Sequence, residues 1–117
     1  MTTADPQPDS LDGPIAAPDH HRVVFENDRL RVIETVIPPG DTAPLHTHAT
    51  PHLTIMVGGD AFMRRGSAGE VLLEVHDGDA TPAAPRYTWS DGLPPHTLEN
   101  VGTSSVVATT IELKGGA

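Results

Sequence analysis

The sequence predicts an all-β chain folded as an antiparallel sandwich or barrel. Three observations lead there. Apolar runs of four to eight residues, many of them β-branched, recur along the chain. Stops of Gly, Pro, Asn or Asp separate them, and the chain holds 11 Gly and 12 Pro in 117 residues. No segment keeps an apolar helical period over the length that a helix needs.

Taken in order, residues 1–20 are rich in Pro and Asp and poor in large apolar side chains. That composition predicts a disordered N-terminal arm. Residues 21–117 read as one barrel domain. Strands are expected at 23–25 and at 30–37 (LRVIETVI), with Asn27-Asp28 turning between them and Pro38-Pro39-Gly40-Asp41 ending the second. Next come 52–57 (HLTIMV), 61–64 and 70–75, broken by Gly58-Gly59-Asp60 and by the turn at 65–69. A Pro/Ala loop at 80–85 leads to a short strand at 86–89, and 91–95 reads as a turn. Strands at 96–101 and 106–113 close the series.

Composition excludes several functions. The net charge is −9 with only 7 Lys and Arg, which argues against a nucleic-acid groove or an anionic membrane surface. There is no cysteine, so any metal must be held by imidazole or carboxylate. No apolar run is long enough to span a bilayer. Residues 1–5 lack the basic and apolar pattern of a secretory signal, so the cytoplasm is the expected location. No G-x-S-x-G elbow or phosphate-binding glycine loop is present.

Seven histidines remain, and His46, His48 and His52 fall within seven residues of one another. Residues two apart on a strand share a face, so His46 and His48 can converge on one ion. His52 begins the strand after Pro51 and adds a third nitrogen if that strand runs back beside the first. The alternative for any single histidine is a surface or core residue with no metal. His20 and His21, beside the arm, and His76, at a strand end, are not expected to be ligands.

The run Gly40-x5-His46-x-His48-x3-His52-x6-Gly59 resembles the first motif of the cupin superfamily, with His52 standing where many members have Glu. His96-Thr97-Leu98-Glu99-Asn100 resembles the H-x3-N end of the second motif. Gly78 would open that motif, at a longer distance from His96 than the family pattern. The resemblance covers residues 22–114 and extends to small bacterial cupins with related "FENDR", "PPG" and "NVG" segments. It implies a cupin (double-stranded β-helix or jelly-roll) barrel in which His46, His48, His52 and His96 hold one divalent ion. Asn100 is then structural rather than a ligand.

An all-imidazole site suits Fe, Mn, Ni, Cu or Zn, and acidification should weaken it as imidazoles protonate near pH ~6.5. The expected function is a dioxygenase-type enzyme acting on a small enolisable or carboxylate-bearing compound. A redox-neutral Lewis-acid enzyme and a non-catalytic binding module stand as alternatives. Met56 shares the His52 face and is a candidate pocket residue, or core filling. Tyr87 and Trp89 are candidates to clasp a flat substrate, or barrel-rim packing. Arg64, Arg65 and Arg86 are candidate carboxylate binders, with Arg64 and Arg65 read chiefly as solvated surface. The expected partners are a small-molecule substrate and a second copy in a homodimer, with no nucleic acid and no membrane.

Overall fold

A computed structural model describes residues 10–76 and 86–115. Among the described residues nine strands form two antiparallel sheets. In chain order they are β1 (His21–Glu26), β2 (Leu30–Ile37), β3 (Thr42–His48), β4 (His52–Gly58), β5 (Phe62–Gly66), β6 (Val71–Val75), β7 (Arg86–Ser90), β8 (Leu93–Asn100) and β9 (Val106–Leu113), preceded by a one-turn helix α1 (Gly13–Ala16). One sheet runs β1-β2-β9-β4-β7 and the other β3-β8-β5-β6. This is a double-stranded β-helix, the fold expected. Among the described residues no helix is long and apolar enough to cross a membrane.

Alternation builds the barrel interior. On β2 the inward residues are Ile33, Thr35 and Ile37; on β9 they are Val106, Ala108, Thr110 and Glu112. Registered pairing stacks them in rows across the larger sheet. Ile37 faces Val106, Thr35 faces Ala108 and Met56, and Ile33 faces Thr110 and Thr54. The last row holds Arg31, Glu112 and His52. Apolar rows and Phe62, Ala43 and Val75 from the smaller sheet close one end as a core cluster. The polar rows leave the other part of the interior to histidines.

Residues 10–20 differ from the expected arm. Asp12 bridges to Thr47, and the Thr47 amide donates to the Leu11 carbonyl at 2.6 Å. Gly13 and Ala17 are buried. A Cβ on Gly13 would lie 3.2 Å from the His48 ring and 3.3 Å from the His21 ring, so α1 packs closely on two histidines and a larger residue there would push the rings by a few tenths of an ångström. The composition reads as disorder because this segment contributes polar anchors and close backbone packing rather than large apolar side chains. Residues 1–9 and the 80–85 loop lie outside the described residues.

β8 begins at Leu93, so part of the expected 91–95 turn is strand. Its far end carries Asn100, fully buried and away from the cavity. The Asn100 amide donates to the Ile37 and Ser104 carbonyls, both at 2.8 Å, and its Oδ1 accepts from the Gly102 amide at 2.9 Å. It ties the end of β2 to the turn before β9. Asn100→Ala removes three side-chain bonds to the backbone, one of them buried, and should cost about 2 kcal/mol. A urea midpoint within error of the parent would refute that role.

Candidate metal centre

Between the sheets lies a cavity of about 60 Å³ lined by His21, His46, His48, His52 and His96. That is room for roughly four waters. Thr35, Thr54, Thr110, Met56 and Arg64 complete its polar and flexible walls. His46 and His96 are register partners on β3 and β8, with ring centroids 4.4 Å apart. His21 lies 4.4 Å from His46 and 5.2 Å from His48, again between centroids. One ring nitrogen from each of His21, His46 and His48 falls within 4.8 Å of the others, the spacing of a candidate metal cluster.

Every one of these rings is held by the same chemistry. His46 Nδ1 donates to the Pro44 carbonyl at 2.6 Å, His52 Nδ1 to Thr50 at 2.7 Å and His96 Nδ1 to Pro94 at 2.7 Å. In each case the acceptor lies two residues back, and a proline at that position or the next stiffens the turn that presents it. His21 Nδ1 donates to Ala17 at 3.1 Å, and His48 Nδ1 to the Glu112 carboxylate at 3.2 Å. These oxygens only accept, so the proton sits on Nδ1 in all five rings. Nε2 is left as the lone-pair nitrogen, with no hydrogen bond to any described residue. Such an outer hydrogen bond fixes the tautomer and ring orientation of a metal-binding histidine.

A buried ionic chain stands behind His48. The Arg31 guanidinium donates to Glu112 Oε1 at 2.6 and 2.9 Å and to both oxygens of Asp12 at 2.8 and 2.9 Å. Burial alone would raise the Glu112 carboxyl; the His48 and Arg31 hydrogen bonds and the Arg31 charge outweigh it and hold it below the usual range. Hydrogen bonding to Asp12 and Glu112 likewise raises Arg31 against the effect of burial.

Burial also favours the neutral form of four cavity histidines, His21, His46, His52 and His96. His21 is lowered to about 3 by desolvation and by its neighbours His46 and His48. His96 falls to about 3 and His46 to about 4, for the same leading reason. His52 is lowered as well.

The four histidines singled out by motif thus line one cavity, together with Met56. His52 does not arrive from a strand beside β3: β4 lies in the other sheet, and His52 comes from across the interior. His21 was set aside with the arm, but it is the buried first residue of β1 and joins the tightest cluster. No alternation along β1 marks it: His21 is buried and the five residues that follow it are exposed. His20 pairs with Asp41 at 2.8 Å, and His76 pairs with Glu74 at the end of β6. Tyr87 and Trp89 do not line the cavity; they are 66% and 53% exposed. They register with Ile55 and Leu53, on the face of β4 opposite to His52, Thr54 and Met56. The structure also brings in Arg64, which sequence reading left chiefly to the surface.

No protein-family model matches the chain, and no curated protein matches it. Solved structures do. A cupin domain from Bordetella pertussis Tohama I superposes with a TM-score of 0.64 at 20% identity, covering 81% of this chain and 92% of that one. A conserved Klebsiella pneumoniae protein with a double-stranded β-helix domain gives 0.56 at 19% identity, covering 83% and 73%. The polyketide cyclase RemF from Streptomyces resistomycificus gives 0.54 at 17% identity, covering 80% of this chain and 63% of that one. These likenesses establish the cupin fold.

The lowered histidines set a pH dependence. Unfolded, they take up protons near pH 6.5; folded, His21, His46 and His96 do so only at about 3 to 4. Their stabilising contribution is complete above pH 6.5 and is lost as pH falls through that value toward the folded ones. In metal-free protein each should cost up to about 2 kcal/mol by pH 5. Proton competition with a metal at these three residues in the folded state is correspondingly displaced, from the expected value near 6.5 to below pH ~5. A melting temperature of the metal-free protein unchanged between pH 7.5 and 5 would contradict this.

Proposed function

We propose that the cavity holds one divalent metal ion and that the protein is a metal-dependent enzyme, dioxygenase-type, acting on a small enolisable or carboxylate-bearing compound. One observation carries the metal reading: five buried imidazoles have Nδ1 committed to an acceptor and Nε2 free. His46 and His48 belong both to the motif set, which adds His52 and His96, and to the tight trio, which adds His21. Fe, Mn, Ni, Cu and Zn all suit this donor chemistry. When bound, such an ion supplies Lewis acidity and, if redox-active, a place for dioxygen.

The chain's own groups do the rest. The Nδ1 hydrogen bonds hold the rings in place before a ligand arrives. The Arg31–Glu112 pair fixes His48. Thr35, Thr54 and Thr110 offer hydroxyls to a bound molecule. Among the described residues no carboxylate lines the cavity, so proton transfer by one of these groups would fall to an imidazole. That spare imidazole favours the second reading, a redox-neutral isomerase, cyclase or hydrolase, and RemF shows a cyclase on this fold.

Elemental analysis of untagged protein beside single alanine variants tests the site. Roughly one equivalent of metal is expected, lost in His46→Ala and His48→Ala. Loss also in His52→Ala and His96→Ala, with retention in His21→Ala, would select the motif set. Equal metal in every variant would end the metal reading. Oxygen uptake with diketones, flavonoids and 2-oxo acids then marks the dioxygenase, anaerobic turnover the redox-neutral enzyme, and saturable binding without turnover a binding module.

The outer face of the larger sheet also carries apolar side chains. Phe25, Val32, Ile111, Leu53 and Trp89 stand in one registered row. We propose a homodimer through this face. Light scattering should give twice the chain mass of 12.3 kDa, and Trp89→Glu should give the monomer mass; a parent already monomeric at working concentration would refute it.

A further inference from the structure

Arg64 is unlike every other polar group in the cavity wall. On β5 the inward residues alternate as Phe62, Arg64 and Gly66, and Arg64 registers with Leu98 and Leu73. Its guanidinium therefore points into the interior beside the histidines. Its Nε is shielded from solvent and bonded to nothing. No hydrogen bond or ion pair joins it to any described residue. Burial alone lowers its pKa, with no counter-charge opposing the effect. Arg31, likewise partly buried, has two carboxylates.

The groups that face Arg64 provide no anion. The other lining residues are histidines, threonines and apolar side chains, with no carboxylate among the described residues. Glu112, which bonds to the lining residue His48, is committed to Arg31 and His48. Arg65, the next residue, faces outward and reaches the Gly69 carbonyl at 3.5 Å. An unpaired guanidinium in such a place is costly to bury, and the cost is offset when an anion enters. The planar fork of five donors matches a carboxylate with two parallel hydrogen bonds.

We propose that Arg64 is the anion-recognition residue of the cavity, and that its ligand is a small organic carboxylate seated on the guanidinium with the rest of the molecule turned toward the histidines. The cavity volume of about 60 Å³ suits an acid of a few heavy atoms, or the acidic end of a larger one. This deepens the function proposed above by naming the recognised group. It rests on the cavity being a ligand site and not on the metal, because Arg64 is unpaired either way.

The test is an NMR titration with acetate and with its neutral isostere acetamide. Parent, Arg64→Met and Arg65→Met proteins are compared, each metal-free and metal-reconstituted, with metal content measured alongside. The parent should bind acetate at least about tenfold more tightly than acetamide in both forms. Arg64→Met should lose about tenfold to a hundredfold in acetate affinity, keep the parent's metal content, and melt no lower than the parent, because an unpaired buried charge is gone. Arg65→Met should bind acetate as the parent does. Equal binding of acetate and acetamide by the parent would overturn the proposal. So would parent-like acetate binding by Arg64→Met, and a lowered melting point with acetate affinity unchanged would assign Arg64 a structural role instead. If Arg64→Met does not fold, Arg64→Lys decides: weaker acetate binding with acetamide unaffected supports the fork contact, and unchanged acetate binding refutes it. A parent that takes up no metal yet selects acetate would sink the metal reading and leave this one standing.

Discussion

Five imidazoles share one small cavity, and keeping neighbouring rings from charging together is a constraint from which much of the structure follows. Two adjacent imidazolium ions in a poorly solvated interior would repel by several kcal/mol. The barrel avoids this by burial, which lowers His21 and His96 to about 3 and His46 to about 4. Burial without hydrogen bonds would cost as much again. Each Nδ1 therefore meets an acceptor, three of them carbonyls two residues back. Rings that are neutral, oriented and unpaired at Nε2 are what a divalent ion requires of its ligands. The same features make the metal-free state sensitive to acid.

The Asp12–Arg31–Glu112–His48 chain has a different physical meaning. Buried ion pairs recover little more than their desolvation cost, so this chain adds little net stability. Its effect is geometric. Arg31 and Glu112 occupy the same row as His52, at the end of the interior away from the apolar cluster. Through Asp12 the chain reaches residues 10–20, which place α1 against His21 and His48. A carboxylate that must hold both an arginine and an imidazole can do so in few arrangements, and that restricts the His48 ring.

The sequence was legible where alternation is strong and local. Residues 30–37 and 106–113 alternate cleanly, pair with each other, and coincide with β2 and β9. The histidine motif was legible because its spacing is that of a known fold, even though His52 reaches the cavity from the opposite sheet. What escaped depends on long-range partners. His21 follows a segment whose anchors, Asp12 to Arg31 and Leu11 to Thr47, are invisible in local composition. The start of β8 was read as a turn because Pro94 and Pro95 lack amide donors, whereas pairing with β3 is bulged there and one of their carbonyls serves His96. The sequence leaves Tyr87 and Trp89 open between a substrate clasp and rim packing because it does not give the register of β7, and that register puts them on the face of β4 opposite to His52.

Charge links the site to its surroundings. The chain carries a net charge of −9, yet its cavity offers neutral donors and one unpaired guanidinium. An acidic exterior does not draw small anions toward the protein; it slows their approach slightly and only at low ionic strength. Affinity must then come from the interior, where the low dielectric makes a guanidinium–carboxylate contact worth more than it would be in water. A bound divalent cation would add to the same local field without a protein carboxylate in the cavity to cancel it. Where the cupin motif that the sequence resembles carries Glu, His52 leaves the candidate ligand set with one negative charge fewer. With Glu112 already paired, the net positive charge of the loaded cavity would be left for a ligand to neutralise. The neutral histidine set and the unpaired Arg64 thus select for the same property in a ligand, negative charge.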